Sequence, residues 1–177
     1  MGNSARLPAA GEEVKLGEDE FIVSKTDIKG RIRYVNRAFM RVSGYAEPEV
    51  MGKPHNIIRH PDMPRGIFRL LWKTILTGEE CFACVKNRTK SGGYYWVMAN
   101  VTADRDLEGN IKGFFSVRRR VPDALIAYFE DLYGRMRAAE ARAGGSAAPD
   151  AGLRVLEQEI RERGFDSYET FVLGIQA

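Results

Sequence analysis

Only two cysteines and two histidines occur in these 177 residues, and neither sign of charge dominates. Each scarcity removes a class of function. Cys81 and Cys84, in "ECFACVKNR", lie in a segment with strand character, where residues three apart point to opposite faces. A disulfide needs Cα atoms within about 7 Å, and three extended residues span roughly 10 Å, so two reduced thiols are expected. His55 and His60 are five apart, not the four that aligns two ligands on a helix, and no cysteine lies near them, which argues against a metal site. A nucleophilic enzyme needs a serine or cysteine activated by a base, and nothing in the sequence sets Ser43 or Cys81 beside His60. The expectation is a protein that is not an enzyme.

The 27 basic and 24 acidic residues leave a formal charge of +3, too even for a polyanion partner, so nucleic acid is disfavoured. No window approaches the roughly 18 apolar residues of a membrane span, and "MGNSARLPAAGEEV" has no signal-peptide core. Its first four residues resemble a myristoylation start, but Arg6 stands where that pattern wants Ser or Thr. A cytoplasmic protein is expected.

With 44% hydrophobic residues the chain can bury one core and carry a small appendage. "FIVSKTDIKGRIRYVN" reads as a hairpin around Gly30. "RAFMRVSGY" and "EPEVMG" read as short helices closed by Gly44 and Gly52. "PRGIFRLLWKTILTG" sets Ile67, Leu70, Leu71 and Ile75 on one stripe and is the longest core helix. Three strand-like segments follow: "CFACVKNRTK", "YYWVMANVTADR" and "IKGFFSVRRR". The order ββαααβββ favours an α+β domain with helices on one face of an antiparallel sheet and a pocket between the layers. We divide the chain into a flanking segment 1–19, a core 20–121, an amphipathic helix 122–142, a flexible linker 143–150 and a C-terminal helix and tail 151–177.

The densest chemistry lies in "PHNIIRHPDMPRGIF", residues 54–68. Arg59, His60 and Asp62 read as a polar cluster facing the pocket mouth; the alternative is that His60 and Asp62 cap the next helix and tie the loop to the sheet. On the aromatic strand Tyr94 and Trp96 share one face, able to line a planar ligand, and Tyr95 takes the other. Asn87 and Asn100 are candidate hydrogen-bonding groups on the sheet. Arg118, Arg119 and Arg120 end the last strand and read as a solvated edge.

The stretches "VNRAFMRVSGY", "GKPHNIIRHPDMPRGIF", "VKNRTKSGGYYWVMANV" and "GFFSVRRR" resemble the PAS domain of the bacterial aerotaxis receptor family over roughly residues 21–121. The resemblance implies a five-stranded antiparallel sheet and a bound FAD that reports redox status. It also implies flavin-associated positions at Asn36, Arg59, His60, Asp62 and Trp72. One departure falls at Cys81, where the family typically has tryptophan. Our expectation is a redox sensor or adaptor that binds FAD through these residues together with Asn87, Trp96 and Asn100. It would signal to a protein partner, or by homodimerisation, through its flanking helices. The alternatives are a haem sensor with His55 or His60 as axial ligand, and a cofactor-free interaction module.

Overall fold

The computed structural model describes residues 9–176. Strand β1, Ile22–Asp27, turns back into β2, Ile32–Val35, through a hairpin that Asp27 closes. Its Oδ1 accepts the backbone N–H of Lys29 and of Arg31, each at 2.9 Å, while Gly30 takes the left-handed φ of 74° that the turn requires. Helix α1, Arg37–Ser43, starts at Asn36, whose side chain accepts the Phe39 N–H, and stops at Gly44 with φ 76°. Then come the short α2, Glu47–Val50, a 3-10 turn at His55–Ile58, and α3, Arg65–Leu76.

Strands β3, Cys81–Arg88, β4, Tyr94–Arg105, and β5, Ile111–Arg120, complete a wholly antiparallel sheet in the order β2-β1-β5-β4-β3. This is the α+β, five-stranded architecture expected. The first and last strands of the core are neighbours, with Ser24 opposite Ser116. Register settles which residues share a face. Ser24, Ser116, Val101 and Cys81 stand in one row across the sheet, followed by Arg118, Ala99 and Ala83, on the face that α1 to α3 cover.

The other face is covered over β3 and β4 by α4, Asp123–Ala143. Tyr133 stacks on Trp96 with centroids 6.2 Å apart, and its hydroxyl donates to the Cys84 carbonyl at 2.6 Å. The amphipathic helix therefore folds back on its own sheet. Residues 143–150, expected as a flexible linker, form a 3-10 turn at Gly145–Ala147 and the first turn of α5, Ala148–Glu162. Pro149 suits that first turn, where its missing N–H leaves no intrahelical bond unmade. The expected tail contains a further helix, α6, Tyr168–Gly174, which buries Phe171 and Val172.

Glu159 on α5 fastens the helical pair. It accepts the Tyr128 hydroxyl, Arg135 Nη2 and Arg163 Nε, all at 2.7 Å. Burial pulls its carboxyl up, but the hydrogen bonds from Arg163, Arg135 and Tyr128 outweigh that and hold it at about 2. A depressed carboxyl stabilises the fold fully above its unfolded value of about 4.3, and that stability disappears as pH falls through the folded value. Glu159→Gln should lower unfolding stability at neutral pH by about 2 kcal/mol in urea titrations. The gap between variant and parent should close as pH falls toward about 2.

Candidate functional site

Helix α3 builds one wall of a cavity, lined by Leu71 and Ile75 of the expected stripe but not by Ile67 or Leu70. Phe68, Leu71, Trp72 and Ile75, at spacings of three and four, face across to Val85, Ala99, Val101 and Phe114 of the sheet. These apolar walls enclose about 190 Å³. The polar lining falls in two groups, Ser24, Ser116, His55 and Arg118 around β1 and β5, and Arg59 with Asn87 at β3. Among the described residues no aspartate or glutamate lines the cavity, whereas Lys29, Arg59 and Arg118 do.

Arg118 is 4% exposed. Its Nη2 donates to Ser24 Oγ and to His55 Nε2, both at 2.6 Å. Its Nη1 is buried and has no hydrogen-bond partner among the described residues. Burial pushes the guanidinium down to about 10, still charged at neutral pH. Burial first, then the Arg118 and Arg59 cations, drives His55 well below the usual imidazole range. A neutral His55 can accept from Arg118 through Nε2, as the 2.6 Å contact requires. The Arg59 guanidinium lies 3.5 Å from the Phe68 ring centroid, with its buried Nε unpartnered. Ser116 Oγ and the Tyr95 hydroxyl are also buried without a partner. Several buried donors and two desolvated cations with no facing carboxylate form an incomplete set, chemistry suited to an anion with acceptor oxygens or nitrogens.

Of the residues expected at the site, Arg59, Trp72 and Asn87 line this cavity. Trp72 packs edge-on against Phe114 with centroids 5.6 Å apart. The other five, Asn36, His60, Asp62, Trp96 and Asn100, do not line it. Asn36 is spent on local structure: its Oδ1 accepts the N–H groups of Val23 and Phe39, and its Nδ2 donates to the Phe21 carbonyl. Arg59 pairs with Asn87 as an isolated bridge, after which the chain turns at residues 61–62 and leaves His60 and Asp62 outside the cavity lining. His60 Nδ1 accepts the Asp62 N–H at 3.1 Å, and Asp62 takes Lys86 Nζ at 2.8 Å and Arg137 Nη1 at 3.4 Å. The hydrogen bond from Lys86 holds the Asp62 carboxyl below the usual carboxylate range.

Trp96 and Asn100 project from the opposite face of β4. Trp96 stacks on Tyr133, and Asn100 donates to Glu80 at 2.9 Å. Asp62, Lys86, Trp96, Glu130, Tyr133 and Arg137 line a second, smaller space of about 110 Å³ between sheet and α4. In the alternative reading, Asp62 does tie its loop to the sheet through Lys86, but neither residue caps α3, whose first N–H groups go to Glu140. Neither histidine is set up as a haem ligand: His55 Nε2 is engaged by Arg118 and Ser24, and His60 lies outside the cavity lining. No group of three metal-binding side chains occurs among the described residues.

Arg118, read as part of a solvated edge, is the residue that sequence reasoning missed. The signal was the strand period: Phe114, Ser116 and Arg118 alternate with Phe115, Val117 and Arg119. Cys81 stands on the cavity face beside Ile75, Val101 and Phe114, and burial pushes its thiol up to about 12. It is a protonated, apolar filler there.

The PAS fold family matches residues 21–121. The aerotaxis receptor of Escherichia coli is 42% identical over 127 residues, covering 72% of this chain and 25% of the receptor. The nitrogen fixation regulatory protein of Klebsiella pneumoniae is 25% identical over 99 residues, 56% of this chain and 20% of that protein. The chain thus spans a quarter or less of these relatives' lengths. Among solved structures, the light state of the blue-light photoreceptor Aureochrome1 LOV domain superimposes with a TM-score of 0.56. The match has 20% identity and covers 64% of this chain and 90% of that one. A light-oxygen-voltage domain whose mechanism was approached with a flavin analogue gives 0.55 at 26% identity, covering 63% and 83%. No helix among the described residues is long and apolar enough to cross a membrane.

A buried cation with an open donor and no counterion destabilises the empty protein. Arg118→Met should therefore raise the unfolding free energy of ligand-free protein by about 1–2 kcal/mol, measured by urea titration. A variant less stable than its parent would show that Arg118 is structural.

Proposed function

This chain belongs to the PAS fold family, and on that premise we propose that it is a redox sensor that binds a flavin, FAD, in the cavity between α3 and the sheet. The observation that carries the reading is the cavity's chemistry: flat apolar walls that end in unpartnered donors and two guanidinium groups with no facing carboxylate. A flavin is a planar ring with hydrogen-bonding edges, attached to an anionic tail. The aerotaxis receptor's likeness over residues beyond the core, and the flavin analogue used with a structurally similar domain, point the same way.

When bound, the flavin supplies reversible electron exchange. The chain's own residues do the rest. Phe68, Leu71, Trp72 and Ile75 exclude water from one side, and Val85, Ala99 and Val101 from the other. Ser24 and His55 fix the Arg118 guanidinium, which favours negative charge beside it and so makes the site responsive to a charge change. Asn87 and Ser116 offer donors and acceptors at separate places in the lining. A cavity of about 190 Å³ is smaller than the roughly 300 Å³ at which pockets for drug-sized ligands begin, so exposed Lys29 and Asn56 would meet the part of the flavin that the cavity does not enclose. Arg59 stands with its cation over Phe68, suited to a phosphate.

We read the protein as a cytoplasmic signalling module and not an enzyme, reporting redox or oxygen status through contacts of its C-terminal helices with a protein partner or a second copy. Purified protein reconstituted with FAD should show the two-peaked absorbance of a bound flavin, released on denaturation. Arg59→Ala and Arg118→Met should weaken FAD binding by about 30-fold or more, the effect of deleting a buried charged partner. His60→Ala, on the α4 side, should keep it. Colourless protein after reconstitution would sink the flavin reading, and loss confined to His60→Ala would move the site to the other face.

A further inference from the structure

Helix α3 has two jobs on two faces. Inward, it presents Phe68, Leu71, Trp72 and Ile75 to the cavity. Outward, its N-terminal turn is the seat of the C-terminal helices. Pro64 precedes α3 and provides no side-chain cap. The free N–H groups of Arg65 and Gly66 donate instead to Glu140 of α4, to Oε2 at 2.9 Å and Oε1 at 2.8 Å. Glu140 is 7% exposed, and its bidentate cap reaches across 74 and 75 residues of sequence.

The seat is shaped for close contact. A Cβ on Gly66 would come within 3.0 Å of the Pro149 carbonyl oxygen and 3.1 Å of the Leu153 nitrogen, so α3 and α5 meet backbone to backbone there. A Cβ on Gly152 would collide with the Glu140 carboxylate. Around the contact, Arg65 Nη1 donates to the Gly145 carbonyl at 3.1 Å, and Arg69 pairs with Asp150 at 2.5 Å. These helices lie beyond residue 121, where the family match ends.

We propose that Glu140 is a latch through which ligand occupancy of the cavity and docking of α4 and α5 are coupled, each stabilising the other by way of α3. The inference rests on the reading of the cavity as a flavin site. Its sign follows from packing. In the empty protein the inward side chains of α3 face open space and lose contacts on that side, so a ligand that fills it holds the helix where Glu140 caps it. Linkage then requires the reverse: a docked latch tightens the ligand. Release would bare the apolar stripe of Leu132, Tyr133 and Met136 on α4, a surface for another protein.

The test is FAD titration and amide hydrogen exchange on the full chain, in parent, Glu140→Ala and Gly152→Leu. Both variants should speed exchange in α5 and weaken FAD roughly tenfold, with β4 protection unchanged as the control for folding. FAD should slow α5 exchange in the parent. Faster α5 exchange with parental FAD affinity, or α5 exchange indifferent to FAD, overturns the coupling. If the parent binds no FAD, the flavin reading fails, and the coupling is judged by Val101→Leu, which adds volume inside the cavity. That variant should slow α5 exchange without any ligand, and unchanged or faster exchange overturns the proposal.

Discussion

Side chains on a pleated strand point alternately to opposite faces, and in this sheet both faces are occupied. The cavity lies on one side and α4 on the other, so adjacent residues take different partners. Asn87 lines the cavity and Lys86 binds Asp62 beneath α4. Tyr95 sits in the inner core while Trp96 stacks on Tyr133. The connector, a turn and not a strand, also divides its residues, with Arg59 in the cavity lining and Asp62 bound to Arg137 of α4.

The two faces differ in how their charges are balanced. On the α4 side Lys86, buried to 8% exposure, has Asp62 at 2.8 Å and Glu130 at 3.7 Å. Its charge is met within the protein. On the cavity side Arg118 is as deeply buried and has only the neutral Ser24 and His55. A desolvated cation with uncharged partners is unfavourable for stability and favourable for binding an anion. That contrast separates a cation paired within the protein from one left without a counter-ion.

Helix α3 joins these arrangements. Four of its twelve residues, Phe68, Leu71, Trp72 and Ile75, line the cavity, and its first turn is capped from α4 and packed against α5 at Gly66. A helix whose N–H groups are satisfied by a distant carboxylate depends for its position on the element carrying that carboxylate. The C-terminal helices are thereby part of the core's architecture, even though the family match stops before them.

Much of this was legible in sequence. Gly30 and Gly44 mark turns that need positive φ, the α3 stripe has helical spacing, and the motifs around "PHNIIRHPDMP" carry the family. The strand period told which residues share a face: Tyr94 with Trp96, and Ser116 with Arg118. It did not tell which face turns inward, and so Trp96 and Asn100 were expected at the ligand and Arg118 in solvent. Local pattern has no knowledge of what packs on each side, since α4 covers Trp96 only after the chain has returned some thirty residues later. Nor did it show Glu140 capping α3, or Glu159 gathering Tyr128, Arg135 and Arg163. Propensity and periodicity are properties of neighbours along the chain and are fixed by sequence. Burial, charge balance and capping across 74 residues depend on which surfaces meet, and that was decided only by the tertiary fold.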